Sequence, residues 1–308
     1  MTGPKEDRYK LLRATGVNTS PVVGLFEDTS GETGLRLAAA TAEPPEIDVT
    51  DDDGGRHRLW SVPADGEGER ADLAAALIAA ASAGPVTIAD GHHRYETALR
   101  YRDERRMSRS CEEDPAFDYL LMLFLESTGE ALTVLPTHRL IAGLGQDAAT
   151  LVDRAAELFD VSPVASGEEL VRHFEGIGLA SGGGGRFGLW TRAGGASLTA
   201  RRDVVGALQP HGGEALRSLD VSLLGVALER LAAIDAAAVA AGAVRYTKSA
   251  SEAVAAVDAG TADAAFLLEG TPVASIAAVA RDGDVMPQKS TYFYPKALTG
   301  LLINPHEW

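Results

Sequence analysis

The chain has 308 residues, 45% of them hydrophobic, with one cysteine and a formal net charge of −16 at pH 7. This length predicts about two domains with buried cores, and one cysteine, Cys111, excludes an intrachain disulfide. The acidic balance argues against a general nucleic-acid surface, and no signal-peptide or membrane-spanning pattern occurs, so we expect a cytoplasmic protein without nucleic-acid or membrane partners.

The first part of the chain alternates helical and strand patterns, which predicts an α/β layer. The predicted elements, in chain order, are a helix over residues 5–14, a buried strand over 21–28, an acidic Pro-rich loop over 43–55, a strand over 57–62, a helix over 71–83 and a strand over 86–89.

A polar box follows this last strand and precedes the next helical pattern. It reads Asp90-Gly91-His92-His93-Arg94-Tyr95. Backbone N–H groups at a helix start carry partial positive charge, and a glycine permits a tight turn, so the box predicts a phosphate site. The histidines and Arg94 add charge-assisted donors. A carboxylate beside a phosphate is repelled by it unless it binds a metal or accepts a proton, so Asp90 indicates catalysis.

The box also has two simpler interpretations. Asp90-Gly91 is also an ordinary turn signal, with Asp90 capping a helix that begins at Tyr95. The histidine pair could contribute to a metal site, but adjacent histidines point about 100° apart on a helix and no zinc-ligand spacing accompanies them. We therefore expect no structural metal site.

Beyond the box, two apolar runs predict a β-hairpin, 119–125 and 132–135, joined by the turn 127–130. This hairpin would return His138 and Arg139 to the edge of the first domain. They could there join the box or simply end a strand in solvent, and the sequence leaves both alternatives open.

The remainder predicts a second α/β unit. Its predicted elements are helices over 147–159, 219–233 and 250–259, a glycine turn over 181–185, strands over 187–190 and 264–268, and a helix led by Pro272. The glycine run lacks the Lys-Ser/Thr of a Walker phosphate loop.

A second set of polar residues lies near the C-terminus, in the segment 286–296. Lys289 and Lys296 bracket hydroxyl residues that include Ser290 and Thr291. Ammonium and hydroxyl groups are donors for phosphate or carboxylate, so this segment predicts a second half of the ligand site. The alternative is a packed C-terminal strand with its aromatic residues in the core.

These strings resemble a known family. The box with its flanks, residues 88–99, looks like the signature of the family called domain of unknown function 1015, and further matching strings are 5–14, 20–26, 135–140, 219–224 and 286–296. Members of that family carry a segment before Lys5, so the resemblance implies that part of the first domain is missing here.

A more distant resemblance connects the box to the ParB/sulfiredoxin superfamily, which includes an archaeal free-serine kinase with a similar box. It implies a ParB/sulfiredoxin-like nucleotide-binding unit over 44–143, preceded by the remainder of an N-terminal region over 1–43 and followed by a C-terminal α/β domain over 144–308. Sulfiredoxin chemistry would need a cysteine where this chain has His92 and His93.

The resulting hypothesis is phosphoryl transfer or hydrolysis between a nucleotide, ATP or ADP, and a small hydroxylated acceptor such as serine. Asp90, His92 and His93 are the predicted catalytic residues, with Asp90 as the base or as a ligand of Mg²⁺. The predicted nucleotide-binding residues are Gly91, Arg94, Tyr95, His138, Arg139, Lys289, Ser290, Thr291 and Lys296. The alternative is a nucleotide-binding switch or assembly module without turnover.

Overall fold

The computed structural model describes residues 3–52, 54–108, 113–127, 132–175, 184–209, 211–287, 289–294 and 296–306. Cys111 and part of each predicted glycine-containing turn, 128–130 and 181–183, lie outside these ranges. In the described part of the chain, no helix is long and apolar enough to cross a membrane.

Helices and strands are mixed along the chain, which confirms the predicted α/β class. The helices are α1 (Gly3–Thr15), α2 (Thr33–Ala40), α3 (Glu69–Ala81), α4 (His92–Ser108), α5 (Leu151–Ala155), α6 (Gly167–Glu175), α7 (Arg202–Ala207), α8 (Glu214–Ser218), α9 (Asp220–Ala232), α10 (Ala236–Ala240), α11 (Ala250–Asp258) and α12 (Val273–Arg281). The strands are β1 (Val17–Asn18), β2 (Val22–Phe26), β3 (Ile47–Thr50), β4 (Arg56–Leu59), β5 (Thr87–Asp90), β6 (Met122–Glu126), β7 (Thr133–Val134), β8 (His138–Ile141), β9 (Phe159–Val164), β10 (Arg186–Thr191), β11 (Gly194–Ala200), β12 (Val244–Thr247), β13 (Ala264–Leu268), β14 (Phe293–Tyr294) and β15 (Asn304–Pro305).

The chain forms two compact units. Unit 1 contains Met1–Leu132 and Pro295–Trp308, and unit 2 contains Thr133–Tyr294. The functional domain bounds at 43/44 and 143/144 stay predictions, because they were drawn from the resemblance of the box and not from packing.

Unit 1 is built on a three-stranded sheet in the order β5-β2-β6. Every residue of β2 is buried, as expected for the continuous apolar run Val-Val-Gly-Leu-Phe in a central strand. Strand β5 pairs antiparallel with β2 and β6 pairs parallel with it. The register places Val23 opposite Asp90, so the end of β5 lies beside the start of β2.

Helix α1 packs along α4 over a small aromatic core formed by Tyr9, Leu12, Tyr101 and Phe117. Ion pairs reinforce this contact at its edge. Lys5 Nζ lies 2.7 Å from Glu96 Oε2, and Arg100 Nη1 donates to Glu6 Oε2 at 2.8 Å. The family string that begins at Lys5 therefore serves, in part, to dock α1 on the helix that carries the box.

The C-terminal segment of unit 1 is fastened to β1. Strand β15 pairs antiparallel with β1, and Asn18 Oδ1 accepts from the backbone N–H of Leu121 at 3.1 Å and from Asn304 Nδ2 at 3.2 Å. His306 Nε2 lies 3.1 Å from the same oxygen, and burial lowers the pKa of this imidazole. A single amide side chain thus connects three segments of unit 1.

Unit 2 is built on a six-stranded antiparallel sheet in the order β12-β8-β13-β10-β11-β9. Helices α5 and α9 contribute to a core on one side, and α6 and α11 contribute to a second core. Strand β13 is buried along its whole length because its residues alternate between the two cores. The predicted helices at 219–233 and 250–259 and the helix led by Pro272 are confirmed as α9, α11 and α12.

Three predicted elements of the fold are wrong. The hairpin of 119–125 with 132–135 does not form, because β6 pairs with β2 in unit 1 whereas β7 pairs with β14 in unit 2. The loop predicted over 43–55 contains β3, whose Ile47 and Val49 alternate with polar residues and which forms a hairpin with β4. The helix predicted over 147–159 is shorter, because Phe159 is buried in the sheet as the first residue of β9.

Candidate functional site

The polar box lies at the junction of β5 and α4, as predicted. Asp90 ends the strand, Gly91 makes the turn and His92 begins the helix. The backbone N–H of Tyr95 donates to the carbonyl of Gly91 at 3.0 Å, which is the first hydrogen bond of α4. The helix therefore starts three residues before Tyr95, where the alternative capping interpretation would begin it, and the turn consists of Gly91 alone. The first N–H groups of α4 belong to box residues, and such groups have no acceptor within the helix.

Gly91 is required at this turn for two reasons. Its φ is +89°, a conformation that residues with a Cβ rarely adopt. A Cβ built on Gly91 would also lie 2.8 Å from Nη2 and 2.9 Å from Nε of Arg94. The guanidinium of Arg94 therefore folds back across the glycine, into space that no other residue type would leave open.

Arg94 connects Asp90 with Ser20. Its Nη1 donates to Ser20 Oγ at 2.7 Å, and its Nη2 donates to Asp90 Oδ2 at 3.2 Å. Nε is buried and has no hydrogen-bond partner among the described residues. Burial lowers the pKa of the Arg94 guanidinium, while the neighbouring charge of Asp90 opposes this shift and that of Arg8 adds to it.

A second cation approaches Asp90 from the C-terminal segment of unit 1. Lys296 Nζ lies 3.5 Å from Asp90 Oδ1, and both side chains are a little more than one-third exposed. Lys296 is thus the residue of the predicted C-terminal set that the structure brings to the box. Asp90 has a different cation near each of its oxygens, while its exposed fraction leaves part of the carboxylate facing solvent.

The other charged groups at this helix start are exposed. His92 and His93 begin α4 with exposed side chains, and Tyr95 is also exposed. Glu96, on the next turn, has its pKa lowered chiefly by the hydrogen bond from Lys5, with smaller contributions from His93 and His92. The N-terminal end of α4 therefore presents several cationic or titratable donors together with the single strand-end carboxylate of Asp90.

His138 and Arg139 begin β8 in unit 2 and are buried, so the alternative of a pair in solvent is wrong. His138 Nδ1 accepts from the backbone N–H of Leu268 at 3.1 Å, and burial lowers the pKa of the imidazole to about 4. Burial lowers the pKa of Arg139 to about 10, and its guanidinium donates to the carbonyls of Thr137 and Lys289. Their predicted part in ligand binding stays a prediction.

The remaining residues of the C-terminal set also belong to unit 2. Lys289 is exposed and adopts a φ of +60°. Ser290 is buried, with its Oγ donating to the carbonyl of Pro287 at 2.5 Å, and Thr291 is partly buried. The polar groups of Ser290 thus take part in holding the local chain, and a ligand role for these three residues stays a prediction.

Two residues near the box were not singled out in the sequence as site residues. Ser20 lies 74 positions before Arg94, and Arg8 is one turn along α1 from Lys5. Both belong to the strings 5–14 and 20–26 that carry the family resemblance, and this resemblance is the sequence signal that could have pointed to them. The hydrogen bond of Ser20 with Arg94 depends on the pairing of β2 with β5, and the effect of the Arg8 charge on Arg94 depends on the packing of α1 against α4. Local spacing reveals neither.

In the described ranges, no group of three or more His, Cys, Asp and Glu side chains is arranged to hold a metal ion. A Mg²⁺ ion bound to a nucleotide keeps several waters and uses phosphate oxygens, so it needs few protein ligands. Asp90 is the residue of the box with the chemistry to supply one.

Comparison with known proteins gives one family match. The family model "Protein of unknown function (DUF1015)" matches residues 1–222. No curated protein matches the chain.

Several solved structures show low similarity. A conserved hypothetical protein from Pyrococcus furiosus has 12% identity and a TM-score of 0.41, with 96% of this chain and 86% of that chain covered. A free serine kinase in complex with AMP has 13% identity and a TM-score of 0.43, with 97% and 84% covered. A variant of a free serine kinase in complex with ADP has 13% identity and a TM-score of 0.42, with 97% and 84% covered.

Proposed function

The chain belongs to the family described as protein of unknown function (DUF1015). From its own residues, we propose that it binds a nucleotide at the box and transfers a phosphoryl group to a small hydroxylated acceptor. The observation that carries this proposal is the position of Asp90. Its carboxylate lies at the start of a 17-residue helix and contacts both Arg94 and Lys296.

The helix start with its cations supplies the phosphate-binding half of the site. Free N–H groups at the positive end of the α4 dipole favour an anion, and Arg94 and Lys296 add charge. Phosphoryl transfer depends mainly on positioning the reactants and neutralising charge on the transferred group, and these residues are suited to both tasks. The exposed His92 and His93 would add donors at the rim.

Asp90 supplies the other half, because a carboxylate next to a phosphate can accept a proton from an attacking hydroxyl. The hydroxyl oxygen of the acceptor forms a bond to the terminal phosphorus, and the bridging P–O bond breaks with its electron pair on the nucleotide that leaves. The hydroxyl proton passes to Asp90. With water as the acceptor, the same step is hydrolysis. Serine is the acceptor suggested by the resemblance of the box to that of the free-serine kinase.

A nucleotide-binding switch without turnover is the second candidate. The pairing of Asp90 with two cations favours it, because these contacts give the carboxylate a structural role in holding Arg94 and Lys296. In that case the carboxylate organises Arg94 and Lys296 and performs no proton transfer.

Substitution of Asp90 by Asn separates the two candidates. The amide keeps the size of the side chain but removes its basicity. We expect ADP and ATP affinity, measured by calorimetry, to stay within about threefold, because the phosphate contacts remain. Turnover of ATP or ADP with serine, followed by phosphorus NMR, should fall on the order of 10²-fold or more if Asp90 is the general base.

Asp72→Asn is the matched control, since Asp72 is an exposed residue of α3 in the same unit. It should change neither affinity nor turnover. Unchanged turnover in Asp90→Asn would reject the base role, and nucleotide binding by the wild-type chain without turnover would favour the switch.

A further inference from the structure

Ser20 lies outside the box but makes the shortest contact with Arg94. The distance from Arg94 Nη1 to Ser20 Oγ is 2.7 Å, whereas that from Nη2 to Asp90 Oδ2 is 3.2 Å. Charge-assisted pairs of this kind usually lie at about 2.7–2.9 Å, so the contact with the carboxylate is a loose one. The guanidinium of Arg94 therefore makes its shorter hydrogen bond with the neutral hydroxyl of Ser20 and its longer one with the carboxylate of Asp90.

The position of Ser20 is fixed by its surroundings. It is buried, and it precedes Pro21, which restricts the backbone of Ser20 to extended conformations. Strand β2 follows at Val22, and Val23 lies opposite Asp90 in the pairing with β5. The hydroxyl acceptor and the carboxylate are therefore held at the two ends of the Arg94 guanidinium by the same pair of strands.

Without an acceptor at Ser20, the hydrogen bond that holds Nη1 of Arg94 away from Asp90 would be lost. These residues are i and i+4 across the turn, and a guanidinium can pair with a carboxylate through two parallel hydrogen bonds. Such a pair would use the donors of Arg94 that a phosphate needs, and it would occupy both oxygens of Asp90.

From these contacts we propose that Ser20 is a positioning residue of the phosphate site, which holds the Arg94 guanidinium away from full pairing with Asp90 and so keeps both side chains available to a phosphate-bearing ligand. This proposal rests on the proposed function, because it assumes that Arg94 contacts the phosphate. Ser20 acts only through Arg94, so its effect on the ligand must disappear when Arg94 is removed.

A double-mutant cycle on ADP affinity tests this dependence. Ser20→Ala should weaken ADP binding about threefold to tenfold, the loss expected when one hydrogen bond no longer orients a charged contact. In the Arg94→Ala background, which itself binds ADP more weakly, the same change should alter affinity by less than about twofold. Ser82→Ala, at an exposed position at the end of α3, is the control and should have no effect in either background.

A second pair of variants separates the hydroxyl from the shape of the side chain and remains informative if Ser20→Ala fails to fold. Threonine and valine have nearly the same shape, but only threonine carries a hydroxyl. Ser20→Thr should bind ADP like the wild type, and Ser20→Val should show the loss. Thermal unfolding of each variant verifies that a folded protein is compared.

The outcomes distinguish the two levels of the proposal. A wild-type chain that binds neither ADP nor inorganic phosphate would overturn the proposed function and, with it, the role of Ser20. Two other results, obtained with a wild-type chain that binds ADP, would overturn the role of Ser20 alone. One is an equal loss of ADP affinity on Ser20→Ala with Arg94 present and with Arg94→Ala. The other is equal ADP affinity of Ser20→Thr and Ser20→Val.

Discussion

Replacement of Gly91 by Ala tests how tightly the turn and the guanidinium are packed together. The alanine would have to keep the φ of +89° that Gly91 adopts, and its Cβ would lie within 3 Å of Nη2 and Nε of Arg94. Because a guanidinium is the end of a flexible side chain, we expect Arg94 to move and the turn to persist with strain. The variant should therefore fold, with a weaker phosphate site.

The expected cost has three parts, one from the backbone and two from the contacts of Arg94. A non-glycine residue at positive φ costs about 1–2 kcal/mol. Displacing Arg94 from Ser20 removes a hydrogen bond from a charged donor, worth about 1.5–3 kcal/mol. The loose and partly exposed pair with Asp90 adds at most about 0.5 kcal/mol. We therefore expect Gly91→Ala to lower the free energy of unfolding by about 3–5 kcal/mol, with more than half of this due to Arg94.

Gly143→Ala is the matched control for the backbone part. Gly143 has a φ of +87°, and a Cβ there would meet no atom within 4 Å. Urea unfolding should show a loss of about 1–2 kcal/mol for this control, and calorimetry should show unchanged ADP affinity. Equal losses of stability in the two variants, together with wild-type ADP affinity in Gly91→Ala, would refute the packing of Arg94 over Gly91.

Three further predictions concern the surroundings of the site and the two units. Lys296→Ala should weaken ADP binding about threefold to tenfold, whereas the exposed Lys10→Ala should not, and the difference should shrink in calorimetry at high salt. Burial lowers the pKa of His138 from 6.5 in the unfolded chain to about 4 in the folded protein, so the neutral imidazole favours folding above pH 6.5 and this stability is lost as the pH falls to 4. This is worth about 3 kcal/mol, and His138→Asn should flatten the fall measured by urea unfolding; an equally steep fall would contradict it. Asn18→Ala should lower the free energy of unfolding by about 2–3 kcal/mol and speed hydrogen exchange around His306, and unchanged exchange there would show that Asn18 does not hold this segment.

The location of the box was predictable because its signals are local. A strand pattern, an Asp-Gly pair and a helical pattern lie within about fifteen residues, and the structure has β5, Gly91 and α4 in that order. The start of α4 was not predictable in the same way, because the helical pattern begins after the box whereas the helix itself includes His92 and His93. With Gly91 at positive φ, a single residue suffices to reverse the chain, and the helix can begin at once.

The partners of the box were only partly predictable. Lys296 was expected at the box because the segment 286–296 combines lysines with hydroxyl residues, and its Nζ lies 3.5 Å from Asp90 Oδ1. Lys289 and Ser290, seven and six positions before it, belong to the other unit, because the chain passes from unit 2 to unit 1 after Tyr294. Ser20 was not expected, since its contact with Arg94 depends on strand pairing between distant segments and a serine before a proline carries no functional signal by itself.

The most direct measurement of the central claim is a titration of the isotopically labelled protein with ADP, followed by backbone amide NMR. If the start of α4 binds the phosphates, the largest shifts should occur at the amides of Gly91, His92, His93 and Arg94, with a smaller response at Lys296, and in Arg94→Ala they should need a higher ADP concentration. Shifts concentrated elsewhere in the chain, with these amides unmoved at saturating ADP, would contradict the claim that the box is the nucleotide site.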